Sequence, residues 1–170
     1  MRRCGIAVGS NSGDRLAHLR AGVYRLLDLL PESRITVIAP LYETDPVDCP
    51  PGSQTFYNSV VELECGLSPH ELRELTAQVE RLSGRPELRE RNAPRTLDLD
   101  LLYCGDEVVD DAVLTIPHPR LVLRRFVLAP LAEIHPGLVL PGQKCDVRAL
   151  LRALPKGDEV VQVMGVDWLD

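Results

Sequence analysis

Four short apolar runs, each bounded by polar or turn-forming residues, have the length and composition of β-strands. They cover residues 4–10, 34–44, 56–65 and 95–105. The second run is rich in β-branched residues and contains Pro40. This proline indicates an edge position or a bulge, because proline cannot donate a ladder hydrogen bond. The pattern therefore predicts a sheet built from these four strands.

Two longer segments carry apolar residues at three- and four-residue steps, which is the period of a helix face. The first begins after Asp14, a suitable N-cap, and ends at Pro31. The second opens with Ser68 and Glu71 at capping-box spacing and stops at Gly84. The resulting order is that of the ferredoxin-like split βαβ unit. We therefore expect an α+β protein, a ferredoxin-like βαββαβ sandwich with a mainly antiparallel sheet and C-terminal additions.

The C-terminal additions are short. They are a hairpin in residues 107–119, a helix in residues 124–134 and a helix in residues 146–154. Pro130 predicts that the first of these helices is broken or starts near it. Residues 155–170 have no clear period, so neither their role nor a docking position for Trp168 follows from the pattern.

Composition favours one globular domain, residues 1–170, in a reducing compartment. The chain has 170 residues, of which 45% are hydrophobic, and its net charge of -6 argues against general affinity for nucleic acid. Five scattered cysteines without a C-x-x-C pair argue against disulfides and a thiolate zinc site. The first residues contain too few apolar positions for a secretory signal, and no stretch is long enough to span a membrane, so we expect neither. We therefore expect a cytoplasmic monomer that binds neither nucleic acid nor membranes.

Two acidic residues interrupt the fourth apolar run, RTLDLDLL. On a strand, Asp98 and Asp100 share one face, while the intervening leucines point into the core. Neighbouring like charges repel, which is tolerated on a solvated face and becomes useful when a divalent cation binds both. Spacing alone leaves both interpretations open, an amphipathic strand facing water and a metal site.

A cluster of arginines lies directly upstream, in the long polar loop of residues 85–94 and just beyond it. The cluster comprises Arg85, Arg89, Arg91 and Arg95. Glu87 and Glu90 lie between them, so a solvated, salt-bridged loop is one explanation. Guanidinium groups beside carboxylates that gather Mg²⁺ are, however, suited to a polyphosphate. Together with the aspartates, they favour a polyphosphate site.

One histidine has a restrained position near this predicted site. His118 lies between Pro117 and Pro119, which hold its ring at a strand exit. Such a histidine is either structural or a donor to a phosphate oxygen. The sequence has no G-x-x-x-x-G-K-[ST] loop and no G-x-G-x-x-G turn after a strand, which excludes P-loop and Rossmann nucleotide binding.

Seven collinear motifs between residues 4 and 154 resemble the 6-hydroxymethyl-7,8-dihydropterin pyrophosphokinase family. They are GSNSGDR (9–15), YETDP (42–46), FYNSV (56–60), E-x-x-x-GR (80–85), PRTLDLDLL (94–102), IPHPRL (116–121) and RRFVLAPLAEI (124–134). The family fold is ferredoxin-like. The resemblance implies transfer of pyrophosphate from ATP to the hydroxymethyl group of the pterin, with release of AMP, in folate biosynthesis.

The resemblance also implies roles for individual residues. Asp98 and Asp100 would hold two Mg²⁺ ions and, with Arg85 and Arg95, form the catalytic set. The ATP site would comprise Glu80, Arg85, Arg95, Leu101, Thr115, His118 and Arg124. The pterin site would comprise Thr44, Val47, Phe56, Asn58 and Phe126, the two phenylalanines stacking on the ring and Asn58 binding its edge.

Some residues depart from the family pattern, and other functions stay open. The departures are Ala77, Leu88, Asn92, Ala93 and Pro119. One alternative is a catalytically silent ferredoxin-like module that binds pterin or nucleotide. Another is a structural or interaction protein. The intact aspartates, arginines and histidine argue against both.

Overall fold

The computed structural model describes residues 1–30, 32–46, 49–84, 93–157 and 159–170. The strands are β1 (Arg2–Ser10), β2 (Arg34–Ile38), β3 (Leu41–Thr44), β4 (Phe56–Cys65), β5 (Asp98–Cys104), β6 (Val109–Asp110), β7 (Thr115–Ile116) and β8 (Val160–Met164). The helices are α1 (Arg15–Leu29), α2 (Pro69–Leu82), α3 (Arg125–Ile134) and α4 (Val147–Ala153), with 3-10 turns at Leu121–Leu123 and Val166–Leu169.

The main sheet has the strand order β5-β1-β4-β3-β8, and β2 pairs with β4. The pairings between these strands are antiparallel. β6 and β7 form the separate hairpin expected from residues 107–119. The ferredoxin-like α+β architecture is therefore confirmed, with β4 at the centre, β5 at one edge and β1 between them.

The two long helices begin as the sequence predicts. The Asp14 side chain accepts a hydrogen bond from Ala17 N and caps α1. Ser68 and Glu71 form a reciprocal capping box at the start of α2. Gly84 follows α2 with φ +87, a left-handed conformation that favours glycine. Local capping thus fixes where both helices start.

Two prolines act differently from the prediction. The single strand predicted for 34–44 is two strands, β2 and β3, separated at Ala39 and Pro40. Ala39 N still donates to Val60 O of β4, whereas Pro40 has no N–H to offer. The predicted break near Pro130 is wrong, because α3 continues through it. Burial of Val127, Leu128 and Leu131 offsets the hydrogen bond that Pro130 cannot make.

The C-terminal residues for which no element was predicted complete the sheet. β8 pairs with β3, and Trp168 beyond it is fully buried. Trp168 Nε1 donates to Ala39 O at 2.9 Å, and Arg20 Nε of α1 donates to Trp168 O at 2.6 Å. The C-terminal residues therefore fill the gap left where β2 gives way to β3.

Hydrophobic side chains pack on both faces of the sheet. α1 and α2 cover one face, where Leu99 and Leu101 of β5 join the core. α3 and α4 cover the opposite face, where Leu102 and Tyr103 pack. All five cysteines are free thiols. Within the described residues, no helix has the length and apolar character needed to cross a membrane.

A buried carboxylate organises the α3 side of the sheet. Glu62 of β4 is 3% exposed. Its Oε1 accepts from Thr36 Oγ1 at 2.7 Å, its Oε2 accepts from Tyr103 OH at 2.9 Å, and His135 Nε2 lies 2.9 Å from Oε2. Gly5 of β1 makes this possible, because a Cβ there would lie 2.2 Å from the Tyr103 ring. The network ties β2, β4 and β5 to the end of α3.

We predict that Glu62→Ala destabilises the protein by roughly 2 to 4 kcal/mol, because it leaves the hydroxyl groups of Thr36 and Tyr103 without their acceptor and removes the carboxylate beside His135. Urea unfolding of the purified variant measures this loss. Glu64→Ala is the matched control, since Glu64 lies two residues further along the same strand and pairs with the exposed Arg34. A smaller loss for Glu62→Ala than for Glu64→Ala would contradict the role of the network.

Candidate active site

The two predicted metal ligands lie where the sheet leaves space above them. Asp98 is paired with Gly9 of β1, and Asp100 with Ala7. Both side chains project to the face opposite Leu99 and Leu101, as the alternation predicted. Their neighbours on β1 are the smallest side chains available, and the two carboxylates remain 19% and 35% exposed. A ligand can therefore approach both of them.

Each aspartate is paired with an arginine. Arg95 Nη1 donates to Asp98 Oδ2 at 2.6 Å, and Arg124 Nη1 donates to Asp100 Oδ2 at 3.0 Å. Arg95 precedes β5 and Arg124 precedes α3, so the two cations reach the strand from different elements. The four charges sum to zero, which explains how two neighbouring carboxylates are tolerated on one face.

Asn11 holds Arg95 in place. Arg95 N donates to Asn11 Oδ1 at 2.7 Å, and Asn11 N donates to Arg95 O at 3.0 Å. Asn11 is 1% exposed and follows directly after β1. Asn11 was not among the site residues predicted from the sequence. Its position in the GSNSGDR motif, just beyond a buried strand, was the available signal.

His118 is fixed by a bulge in β5. The register against β1 shifts at Leu102, which turns its carbonyl outward to accept from His118 N at 2.8 Å. Arg120 N donates to His118 Nδ1 at 3.1 Å. The proton of the neutral ring is therefore on Nε2, which lies 3.9 Å from Asp100 Oδ2.

Burial lowers the pKa of His118 below its usual 6.5. The carboxylate of Asp100 opposes this effect, whereas the guanidinium groups of Arg124 and Arg120 add to it. At neutral pH the ring is therefore uncharged and offers an N–H donor on its Nε2 side.

A cavity of about 600 Å³ opens on one side of this cluster, between α2, the edge strand β5 and the β6–β7 hairpin. Predicted ATP-site residues in its wall are Glu80, Leu101, Thr115 and His118, together with Asp100. Glu80 is 7% exposed, and its Oε1 accepts from Leu99 N at 2.8 Å. It therefore holds the open edge of β5 against α2 as well as lining the cavity.

A second cavity, of about 430 Å³, opens on the other side. Predicted pterin-site residues in its wall are Thr44, Phe56, Asn58 and Phe126, together with Arg95, Asp98 and Arg124. Asn58 Nδ2 donates to Thr44 Oγ1 at 2.8 Å, and both residues are buried. A flat heterocycle with amide-like edges suits this combination of aromatic and amide groups.

Gly9 is a further residue of the second cavity that was not predicted from the sequence. It lies between Asn58 of β4 and Asp98 of β5 in the register of the sheet. A Cβ on Gly9 would lie 3.0 Å from Asn58 Oδ1. A side chain at position 9 would therefore crowd the Asn58 amide where this amide and the Asp98 carboxylate flank β1, and it would enter the second cavity, which Gly9 lines.

The acidic pair joins the two cavities. Asp100 lines the first cavity and Asp98 lines the second, although they are only two residues apart. Arg124 lines the second cavity and reaches Asp100 of the first, so it lies at the same junction. A group bound at the junction can contact ligands from both sides.

The donor set fits Mg²⁺ that is shared with a substrate. In the described part of the chain, no group of three or more His, Cys, Asp or Glu side chains converges on a metal position. Two carboxylates alone make a poor all-protein site. They suit Mg²⁺, which takes one or two carboxylates and completes its shell with phosphate oxygens and water.

Some predicted site residues lie outside the described part of the chain. They are Arg85 and Val47. Leu88 and Asn92, two of the expected departures from the family pattern, also lie outside the described residues. Of the other departures, Ala77 and Pro119 line the first cavity and Ala93 lines the second. The described positions at which the sequence is expected to depart from the family pattern thus line the two cavities.

Comparisons with known proteins identify a family for this chain. A family model described as 7,8-dihydro-6-hydroxymethylpterin-pyrophosphokinase matches residues 5–136. The 2-amino-4-hydroxy-6-hydroxymethyldihydropteridine pyrophosphokinase of Bacillus subtilis is 48% identical over 130 residues, 76% of this chain and 75% of the relative. The enzyme of the same name from Pseudomonas aeruginosa is 36% identical over 156 residues, 91% of this chain and 93% of the relative.

Solved structures share the fold. An HPPK-DHPS structure in complex with substrates has a TM-score of 0.70 at 12% identity, covering 89% of this chain and 42% of that chain. A Plasmodium falciparum HPPK-DHPS triple mutant with STZ-DHP has a TM-score of 0.67 at 14% identity, covering 89% of this chain and 43% of that chain. This chain thus spans less than half the length of those proteins.

We predict that His118 in the metal-free protein titrates below pH 6.5, since burial disfavours its charged form. Asp100→Asn should lower the pKa further by removing an attractive charge, and Arg124→Ala should raise it by removing a repulsive one. Imidazole NMR titration measures all three values. A pKa above 6.5 in the wild-type protein, or shifts of the opposite sign in the variants, would contradict this electrostatic description.

Proposed function

The chain belongs to the 7,8-dihydro-6-hydroxymethylpterin-pyrophosphokinase family, and we propose that it transfers the pyrophosphoryl group of ATP to 6-hydroxymethyl-7,8-dihydropterin. The products are AMP and the dihydropterin diphosphate, an intermediate of folate biosynthesis. The observation that carries this proposal is the position of Asp98 and Asp100 at the junction of two cavities. A transfer between two substrates needs them to meet at one place.

The two cavities differ in the ligand that suits them. The second cavity offers Phe56 and Phe126 as apolar faces and Asn58 as a paired donor and acceptor, which suits the pterin. The first cavity is larger and is lined by the edge strand at Leu101 and by Thr115 and His118, which suits the nucleotide. The triphosphate would then extend towards the aspartates, and the hydroxymethyl group would approach them from the opposite side.

Asp98 and Asp100 would hold Mg²⁺, and we propose that they hold two ions. When bound, Mg²⁺ neutralises charge on the triphosphate and polarises its oxygens. The described cluster has no net positive charge to offer a triphosphate, because the charges of its two carboxylates and two guanidinium groups cancel. A triphosphate brought to this neutral cluster therefore needs added positive charge.

Arg95 and Arg124 would exchange partners when the substrates bind. Their guanidinium groups now hold the aspartates, so they are already ordered beside the place where the phosphates would lie. Carboxylates that turn to a metal would release these donors to phosphate oxygens, which they match in geometry. Arg85 stays a predicted phosphate ligand of the same kind, and Val47 a predicted pterin contact.

His118 would act as a neutral donor. Its Nε2–H points to the Asp100 side of the first cavity, where it can donate to a phosphate oxygen. It carries no charge at neutral pH, so its contribution is a directed hydrogen bond rather than added positive charge. Phosphoryl transfer leaves little covalent chemistry to side chains, and positioning supplies most of the catalysis.

One assay separates this function from a silent binding module. Purified protein is mixed with Mg²⁺, ATP and the hydroxymethyl dihydropterin, and AMP is measured, with pterin omitted as the control. Pterin-dependent AMP release supports the transferase. Binding of both ligands without AMP would support the silent module, and binding of neither would support a structural protein.

We predict that Asp98→Asn or Asp100→Asn lowers kcat by on the order of 10² or more, because each removes a charge that would hold Mg²⁺. AMP release under saturating substrates measures the loss. Asp106→Asn is the matched control, since Asp106 is an exposed residue just beyond the far end of the same strand. A near wild-type rate in either site variant would remove that aspartate from its role.

We predict that Phe126→Ala weakens pterin binding by roughly 1 to 3 kcal/mol and leaves ATP binding alone nearly unchanged, because the lost ring lines the second cavity. Calorimetry with each ligand measures both effects. Phe126→Leu keeps an apolar side chain without a flat face, so its affinity for pterin should lie between that of the wild type and that of Phe126→Ala. A larger loss for ATP than for pterin would overturn the stacking assignment.

A further inference from the structure

Arg15, the first residue of α1, makes a dense set of contacts that the proposed chemistry does not use. The two hydrogens of its Nη1 are shared among three acceptors, Glu43 Oε1 at 2.9 Å, Thr55 O at 2.8 Å and Thr55 Oγ1 at 2.6 Å. Its guanidinium carbon lies 3.7 Å from the centre of the Tyr57 ring. Thr55 Oγ1 in turn donates to Glu43 Oε1 at 2.6 Å. We name these four residues the rear cluster.

The rear cluster lies on the other face of the sheet from the second cavity, the proposed pterin site, which we call the pterin-side cavity. In the register of the sheet, Glu43 is paired with Tyr57, whereas Thr44 is paired with Phe56 and Tyr42 with Asn58. Side chains alternate along a strand, so the first pair projects to one face and the other two pairs to the opposite face. Each residue of the cluster on β3 and β4 is thus next in sequence to a wall residue of the cavity.

Thr55 links the rear cluster to the connection between β3 and β4, which lines part of the second cavity. It precedes Phe56, the first residue of β4, and follows the connection that contains Asp45 and Cys49, both of which line the cavity. Arg15 holds both the carbonyl and the hydroxyl of Thr55, so it fixes where this connection enters the sheet. A shift there would be passed on to Phe56.

The position and the charge of Arg15 both indicate that these contacts hold its side chain in place. A cation in the first turn of a helix faces the positive end of the helix dipole, which is unfavourable. The Arg15 side chain is nevertheless only 18% exposed, so it is held against the sheet. Hydrogen bonds from Thr55 and Arg15 lower the pKa of Glu43, which keeps its carboxylate ionised as the partner of Arg15.

We propose that Arg15 is a positioning residue for the acceptor substrate, which acts by fixing Thr55 and thereby the pterin-side wall at Thr44, Phe56 and Asn58. This inference rests on the proposed function. Arg15 does not touch the substrate. Its loss should therefore affect recognition of the pterin and leave the nucleotide side unchanged, since the first cavity is built from α2, β5 and the β6–β7 hairpin.

The test compares KM for pterin, KM for ATP and kcat in a set of variants. Arg15→Ala should raise KM for pterin by about tenfold or more, with KM for ATP within about twofold of the wild type, because a displaced wall disturbs one substrate only. Arg15→Lys keeps one cationic donor and should recover part of the loss. Thr55→Val keeps the ion pair but removes the hydroxyl, and should raise KM for pterin by about threefold or more.

Arg34→Ala is the matched control. Arg34 makes a cross-strand ion pair with Glu64 at the other end of β4, far from the cavity in the register of the sheet. Its removal should leave both KM values unchanged. Thermal unfolding of each variant checks that the fold is kept, and Thr55→Val decides the outcome if Arg15→Ala does not fold.

The outcomes separate the two proposals. Wild-type protein that releases no AMP overturns the proposed function and this inference with it. Active wild-type protein whose folded Arg15→Ala or Thr55→Val variant keeps the wild-type KM for pterin overturns the inference alone. Equal rises in the KM values for pterin and ATP would also overturn it, because they would indicate a general structural role.

Discussion

The balance of four side-chain charges at one edge of the sheet underlies the whole site. Asp98 and Asp100 would repel each other on a shared face, and Arg95 and Arg124 compensate them from opposite directions. The same two ion pairs also keep all four side chains ordered. In the proposed mechanism, the carboxylates would bind metal and the guanidinium groups would bind phosphates with little movement. Electrostatic preorganisation requires groups that are already in place in this way.

The sheet acts as the frame that brings two different cavities to that cluster. β1 contributes little bulk there, since Gly9 and Ala7 face the two aspartates. β4 and β3 form walls of the proposed pterin cavity, and the open edge of β5 forms a wall of the proposed nucleotide cavity. Elements outside the minimal βαββαβ unit complete both walls, because α3 supplies Phe126 and the β6–β7 hairpin supplies Thr115. The additions are therefore part of the site.

Local rules were enough for much of this architecture. Period-two alternation placed Asp98 and Asp100 opposite the buried leucines, and capping residues located α1 and α2. The described site residues that were predicted from the family motifs line one or other of the two cavities. What local rules could not supply is decided by long-range contacts.

Several examples show that limit. β8 has little burial of its own and forms because β3 offers a free edge, while Trp168 finds a carbonyl at Ala39 that is distant in sequence. Pro130 stays inside α3 because tertiary burial outweighs one lost hydrogen bond. Asn11 and Arg15 act through partners more than 25 residues away, so spacing within their own motif does not reveal their roles.

The most direct test of the charge cluster is a crystal structure with Mn²⁺ in place of Mg²⁺, an α,β-methylene analogue of ATP, and the hydroxymethyl dihydropterin. Anomalous scattering then locates the metal independently of the protein. We expect manganese at about 2.1 Å from oxygens of Asp98 and Asp100, between triphosphate and pterin hydroxyl, with Arg95 and Arg124 on phosphate oxygens. Both carboxylates still paired with their arginines, and manganese bound elsewhere or absent, would contradict the mechanism proposed for this site.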